Sequence, residues 1–145
     1  MNPDDFLVLA LKLSAGAGQA ELRSAVSRGY YGVFHLARLF VDGCGVTLPE
    51  SAEAHDKVAK CLQHAGDPLL DAAGSELNSL RSMRNAADYR LGDGRFAQAR
   101  FVVVQLAKAR QIADALRSAQ GRIDILRLPM RAYAKDILKL PLRLG

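Results

Sequence analysis

Between Gln19 and Val41 the apolar side chains Leu22, Val26, Tyr30, Val33, Ala37 and Phe40 recur every three or four residues. That spacing draws one stripe down a helix, whereas a strand would alternate its faces at every second residue. The same rhythm returns at Val102, Leu106, Ala109, Ala113 and Leu116. Alternation with period two is missing, and Gly and Pro gather at the boundaries between helical patterns. The expected fold class is all-α.

Local signals place the elements. A first helix is predicted from Asn2 as cap and Pro3 at the first helical position to about Ala15. A second spans Gln19 to Val41 and stops in Asp42-Gly43-Cys44-Gly45. A third covers about Ala52 to Ala65, with Ser51 as cap and Gly66 as stop. A fourth opens on Asp67-Pro68 and continues to about Leu91, before Gly92-Asp93-Gly94. A fifth runs from Phe96 to Ala119 and closes at Gly121. Short connections between such helices imply an antiparallel bundle of four or five helices over residues 1–121.

Residues 122–145 form a basic C-terminal extension. Of the 20 Lys and Arg residues six lie from Arg122 onward, against two of the 15 Asp and Glu, so the body is near neutral and the tail is cationic. Met130, Tyr133, Ala134, Ile137 and Leu138 make an apolar stripe there, flanked by Arg131, Lys135 and Lys139 and ended by Pro141. Such a stripe either folds back on the bundle as a short sixth helix or docks on a partner or an RNA backbone; it is short for a membrane-surface helix.

At 145 residues, 50% of them hydrophobic and 24% charged, the chain can close a core without disulfides or metal, and disorder is excluded. No apolar run reaches the ~18 residues of a membrane span. Asp4 and Asp5 precede the apolar Phe6–Leu13 where a secretory signal would be positive, so a cytoplasmic location is expected. Cys44 and Cys61 then read as reduced thiols. His55, Cys61 and His64 lack a second close-spaced ligand pair, and neither a metal nor a cofactor is expected.

One residue breaks the pattern of the fourth helix. Its stripe reads Ala73, Leu77, Leu80, Arg84, Ala87 and Leu91. A guanidinium stays charged at working pH and must be met by a partner when buried. Asp88, one turn on, is the nearest candidate, and Asn85 and Tyr89 stand four apart on the adjoining flank. Opposite its own stripe, the second helix carries Ser24, Tyr31, His35, Arg38 and Asp42. Tyr, His and Arg on one face suit a second packing partner or a polar cleft, and His35 is the type of side chain most easily poised for proton transfer. Gly-rich phosphate loops, zinc-protease spacing and nucleophile elbows are all absent.

Two segments together resemble the HEPN superfamily of small helical bundles. Arg23-Ser-Ala-Val-Ser-Arg-Gly-Tyr-Tyr-Gly-Val-Phe-His-Leu-Ala-Arg38 is similar to its long first core helix, and Leu80-Arg-Ser-Met-Arg-Asn-Ala-Ala-Asp-Tyr-Arg-Leu91 to its late signature helix. The resemblance covers about residues 4–119. It implies a homodimer whose signature helices meet in a composite cleft, and a metal-independent endoribonuclease of a toxin–antitoxin or defence module. Arg84 matches the signature arginine and Asn85 the polar residue after it. Tyr89 stands where the family has histidine. In the implied reaction Arg84, Asn85 and Tyr89 are the catalytic set, with His35 as a replacement base. Asp88, Tyr31, Arg28 and Arg38 serve as binding or supporting residues. The resemblance equally implies a second reading, a non-catalytic module that binds nucleotide or RNA or docks a partner. That partner would be a nucleotidyltransferase-type antitoxin able to modify Tyr89. A purely structural helical dimer is the third reading.

Overall fold

The computed structural model describes residues 1–16 and 18–143. They form an all-α bundle: α1 (Asp4–Ser14), α2 (Gln19–Gly43), α3 (Glu53–Gln63), α4 (Pro68–Tyr89), α5 (Ala99–Gln120) and α6 (Ile123–Asp136). A short 3-10 turn, Gly94–Ala97, precedes α5. No described helix is long and apolar enough to cross a membrane.

Helix α2 is the central post, and its whole apolar stripe from Leu22 to Phe40 is buried. Other helices approach it closely because its sides carry glycine. A Cβ on Gly29 would come within 2.8 Å of Leu106 in α5, and one on Gly32 within 2.9 Å of Leu7 in α1. Contacts of Gly32 with Leu7 and of Gly29 with Ala10 show α1 antiparallel to α2. Helix α4 is also antiparallel to α2, since Arg23 reaches Arg90 while Tyr31 lies against Arg84.

The local signals act largely as read. Asn2 Oδ1 accepts the Asp4 N–H at 3.0 Å, and Asp67 Oδ2 accepts the Leu70 N–H at 3.0 Å ahead of Pro68. Gly66 takes φ +72°, the left-handed conformation that ends α3. Ser51 does not cap α3: Ala52 occupies the cap position and no side chain bonds the first turn. Helix α4 stops at Tyr89, so Leu91 leaves the predicted stripe and is 77% exposed.

The described part of the tail folds back. Leu126, Met130 and Ala134 of α6 enter the main hydrophobic cluster, and Tyr133 stacks on His64 with ring centres 3.7 Å apart. Beyond α6 the chain pairs with the α2–α3 connection, where the Thr47 N–H donates to Pro141 O at 2.8 Å and the Arg143 N–H to Gly45 O at 2.7 Å. Arg131 reinforces this seam by donating to Cys44 O, Gly45 O and Arg143 O. Ile125, Leu128 and Ile137 remain exposed.

Candidate functional site

The α4 stripe carries Arg84 into the bundle, where the residue is only 9% exposed. Its guanidinium lies over two aromatic faces, 5.6 Å from the centre of Tyr30 and 5.3 Å from that of Tyr31. Desolvated cation–π contacts of this kind are worth about 2 kcal/mol. Asp88 is also present, but at 3.8 Å, and its Oδ2 accepts the Ser27 hydroxyl at 3.2 Å. The charge of Arg84 is therefore held by aromatic rings at least as much as by the carboxylate one turn away. Among the described residues its buried Nε has no hydrogen-bond acceptor, and neither does the buried Nε of Arg81, one turn earlier on α4.

Tyr30 is fully buried, and burial raises the pKa of its phenol despite nearby Arg81 and Arg84. The phenol therefore stays protonated, and it shares a hydrogen bond with Nδ1 of His55, which α3 supplies. The His55 ring stacks on Phe34 at 4.1 Å. Burial, then Arg81 and Arg84, and more weakly His35 and Arg38, lower its pKa to about 4. Near neutral pH His55 is thus uncharged.

The flank of α2 continues this network. His35 stacks on Phe6 of α1 at 5.8 Å and lies 6.4 Å from Tyr31, and burial followed by Arg38 lowers its pKa. Arg28 sits over Phe6 and Tyr31, at 5.6 and 5.5 Å. Arg38 donates to Pro49 O at 3.1 Å, tying the flank to the loop before α3.

The geometry sorts the residues singled out in the sequence. Arg84, Asp88, Tyr31, His35 and Arg28 belong to one connected aromatic and cationic cluster, with Arg38 at its margin. Asn85 and Tyr89 stand apart from it, exposed on the outer side of α4, Tyr89 at 75%. His55, Tyr30, Arg81 and Ser27 join the cluster without having been assigned to it. His55 had a detectable signal, since it sits between Ala54 and Val58 in a helix whose apolar face needs partners. Tyr30 belongs to the core stripe as predicted, but a fully buried phenol also demands an acceptor. Among the described residues no group of three or more His, Cys, Asp or Glu side chains is arranged to hold a metal.

A second arginine fixes the end of the helix that presents this site. Arg23, 8% exposed, donates through Nη1 to Ala86 O, Ala87 O and Arg90 O, and through Nη2 to Leu91 O and Asp93 O. Its Nε donates to Gln19, and the guanidinium covers Phe96 at 5.0 Å. The orphan carbonyls at the C-terminus of α4 are thereby collected by one planar cation from α2, which also favours the negative end of the helix dipole.

No family model matches the chain, and neither a curated protein nor a solved structure is significantly similar to it.

Proposed function

We propose that this protein is a HEPN-type, RNA-directed endoribonuclease that acts as a homodimer and needs no metal. The reading rests on the resemblance of the α2 and α4 segments, and one structural observation carries it further. Arg84 is a desolvated cation whose Nε has no acceptor among the described residues, in a cluster where Arg28, Arg38 and Arg81 add positive charge against the carboxylate of Asp88. Such a field favours phosphate over any neutral ligand. In the reaction, the ribose 2′-hydroxyl gives up its proton as its oxygen attacks the adjacent phosphorus, the bond to the 5′-oxygen breaks as that oxygen takes up a proton, and a 2′,3′-cyclic phosphate and a 5′-hydroxyl result. Arg84 from each subunit would stabilise the additional negative charge of the phosphorane. Asn85 and Tyr89, outward on α4, would meet the substrate or the partner helix across the dimer.

The exposure of Tyr89 favours a second reading as well. A phenol is a weaker general base at neutral pH than an imidazole. A chain with Tyr89 in the histidine's place fits a non-catalytic module that binds RNA or nucleotide, or docks a nucleotidyltransferase-type partner. Purified protein incubated with single-stranded RNA in chelator separates the two. The first reading expects fragments ending in cyclic phosphate from the wild type and none from Arg84→Ala, with the dimer intact in both by light scattering. RNA that stays whole across substrates and pH, yet is bound in an Arg84-dependent way, selects the second.

A further inference from the structure

The cluster of α2, α3 and α4 contains more positive charge than the chain itself neutralises. Around the His55 ring, α2 presents Tyr30, Tyr31, His35 and Arg38, and α4 presents Arg81 and Arg84, with Asp88 beyond Arg84. Arg81 forms no ion pair among the described residues, and the Nε atoms of Arg81 and Arg84 are buried without an acceptor. A buried donor with no partner is unfavourable, and a bound oxyanion would supply the missing acceptor. His55 is half-buried, and its Nε2 makes no hydrogen bond among the described residues.

We propose that Arg81, Arg84 and His55 form an oxyanion site for an RNA phosphodiester, and that its occupation draws a proton from solvent onto His55. This rests on the RNA-directed reading for the source of the anion, but not on cleavage. The histidine comes from α3 rather than from the signature helix.

The coupling follows from charge. In the free protein two guanidinium groups oppose protonation of His55, and a bound anion offsets their field at the ring. In the protonated ring Nδ1 carries hydrogen, and the Tyr30 hydroxyl, able to donate or accept, accepts from it. Both ring nitrogens then carry hydrogen, and Nε2–H becomes a charge-assisted donor to the anion. By linkage the anion binds more tightly as pH falls through the window between the bound-state pKa and the free value of about 4.

The test follows the three histidine rings by NMR from about pH 8 to about pH 4, with and without sulfate, whose charge is constant over that range. Saturating sulfate is expected to raise the His55 midpoint by about one unit or more, with about a tenfold gain in affinity at low pH for each unit. Arg84→Met and Arg81→Met, each with an unchanged amide spectrum, are expected to remove most of that rise. His64, stacked on Tyr133 away from the cluster, serves as the internal control and stays fixed. A short single-stranded 2′-deoxy oligonucleotide, which lacks the attacking hydroxyl, is expected to give the same shift at lower concentration than sulfate. A His55 midpoint that sulfate leaves in place, or that moves equally in the arginine variants, overturns the site. A response to sulfate but none to the oligonucleotide overturns the polynucleotide assignment. RNA that stays intact beside a responding His55 refutes cleavage alone, and cleavage beside a silent His55 refutes the proton-coupled site alone.

Discussion

Replacing Arg23 by Met removes the cation that holds the end of α4 while keeping most of the aliphatic stem. Five backbone carbonyls lose a donor: Ala86, Ala87, Arg90, Leu91 and Asp93. They are not equally exposed to the loss. Ala86 O still accepts the Arg90 N–H at 2.9 Å, and Asp93 O, Leu91 O and Arg90 O lie in part-buried surroundings that water can reach. Ala87 O is bonded at 2.8 Å in a buried setting and has no such substitute. An orphaned buried acceptor costs about 1–3 kcal/mol, and charge-assisted bonds contribute about 1.5–3 kcal/mol each. One orphaned buried acceptor together with one or two charge-assisted bonds lost places Arg23→Met at about 3–5 kcal/mol. Arg23→Lys keeps the charge but cannot span two sets of acceptors with one planar fork, and should lose about half as much. Urea unfolding followed by circular dichroism gives both numbers, provided the m values agree with wild type. Because domains of this kind are stable by only about 5–15 kcal/mol, the midpoint should drop visibly. A loss below about 1 kcal/mol for Arg23→Met would refute the reasoning, since water would then be replacing the guanidinium at every carbonyl.

Two further outcomes follow from the packing and the titration. His55 has a folded pKa of about 4, below its unfolded value near 6.5, so the unfolded chain binds more protons between those limits. Stability is therefore full above about pH 6.5 and declines as pH falls toward 4. His55→Gln should flatten that decline in urea midpoints measured across the window, and an unchanged slope would contradict the assignment. Met130→Ala, which opens a cavity where α6 enters the main core, should cost about 2–5 kcal/mol in the same assay; a loss under about 0.5 kcal/mol would mean that α6 merely rests on the bundle.

Arg23 bears on function through α4. It sets where that helix ends and how it lies along α2, and so which turn of α4 faces Tyr30 and Tyr31. Arg84 is the residue on that turn. Disturbing Arg23 should then move Arg84 without touching it, which distinguishes a positioning residue from one in contact with an anion.

The all-α class, the α2 and α5 stripes, and the cap at Asp67 were legible because each depends on neighbours within one or two turns. Arg84 was legible as an anomaly for the same reason: an arginine in an apolar stripe violates the helix's own period. Its main partner was not. Asp88 was the choice available within α4, whereas the rings that cover the guanidinium come from α2. Leu91 was placed on the stripe because nothing in the local sequence reveals that Arg23 gathers the carbonyls around it and lets the helix stop at Tyr89. Backbone carbonyls have no side-chain signature, so a capping cation arriving from another helix leaves no mark in the sequence.

The sequence by itself determined a helical chain with the right breaks, a cationic tail and one charge out of place in a core stripe. Only the tertiary structure decided that the tail returns to the bundle, that Arg84 lies over Tyr30, which is itself bonded to His55, and that Asn85 and Tyr89 stand outside their cluster. The physical reason is the range of the forces involved. Periodicity and capping act over a few residues, while a site assembled from α1, α2, α3 and α4 depends on interhelical register, which close contacts such as those at Gly29 and Gly32 fix across long stretches of chain.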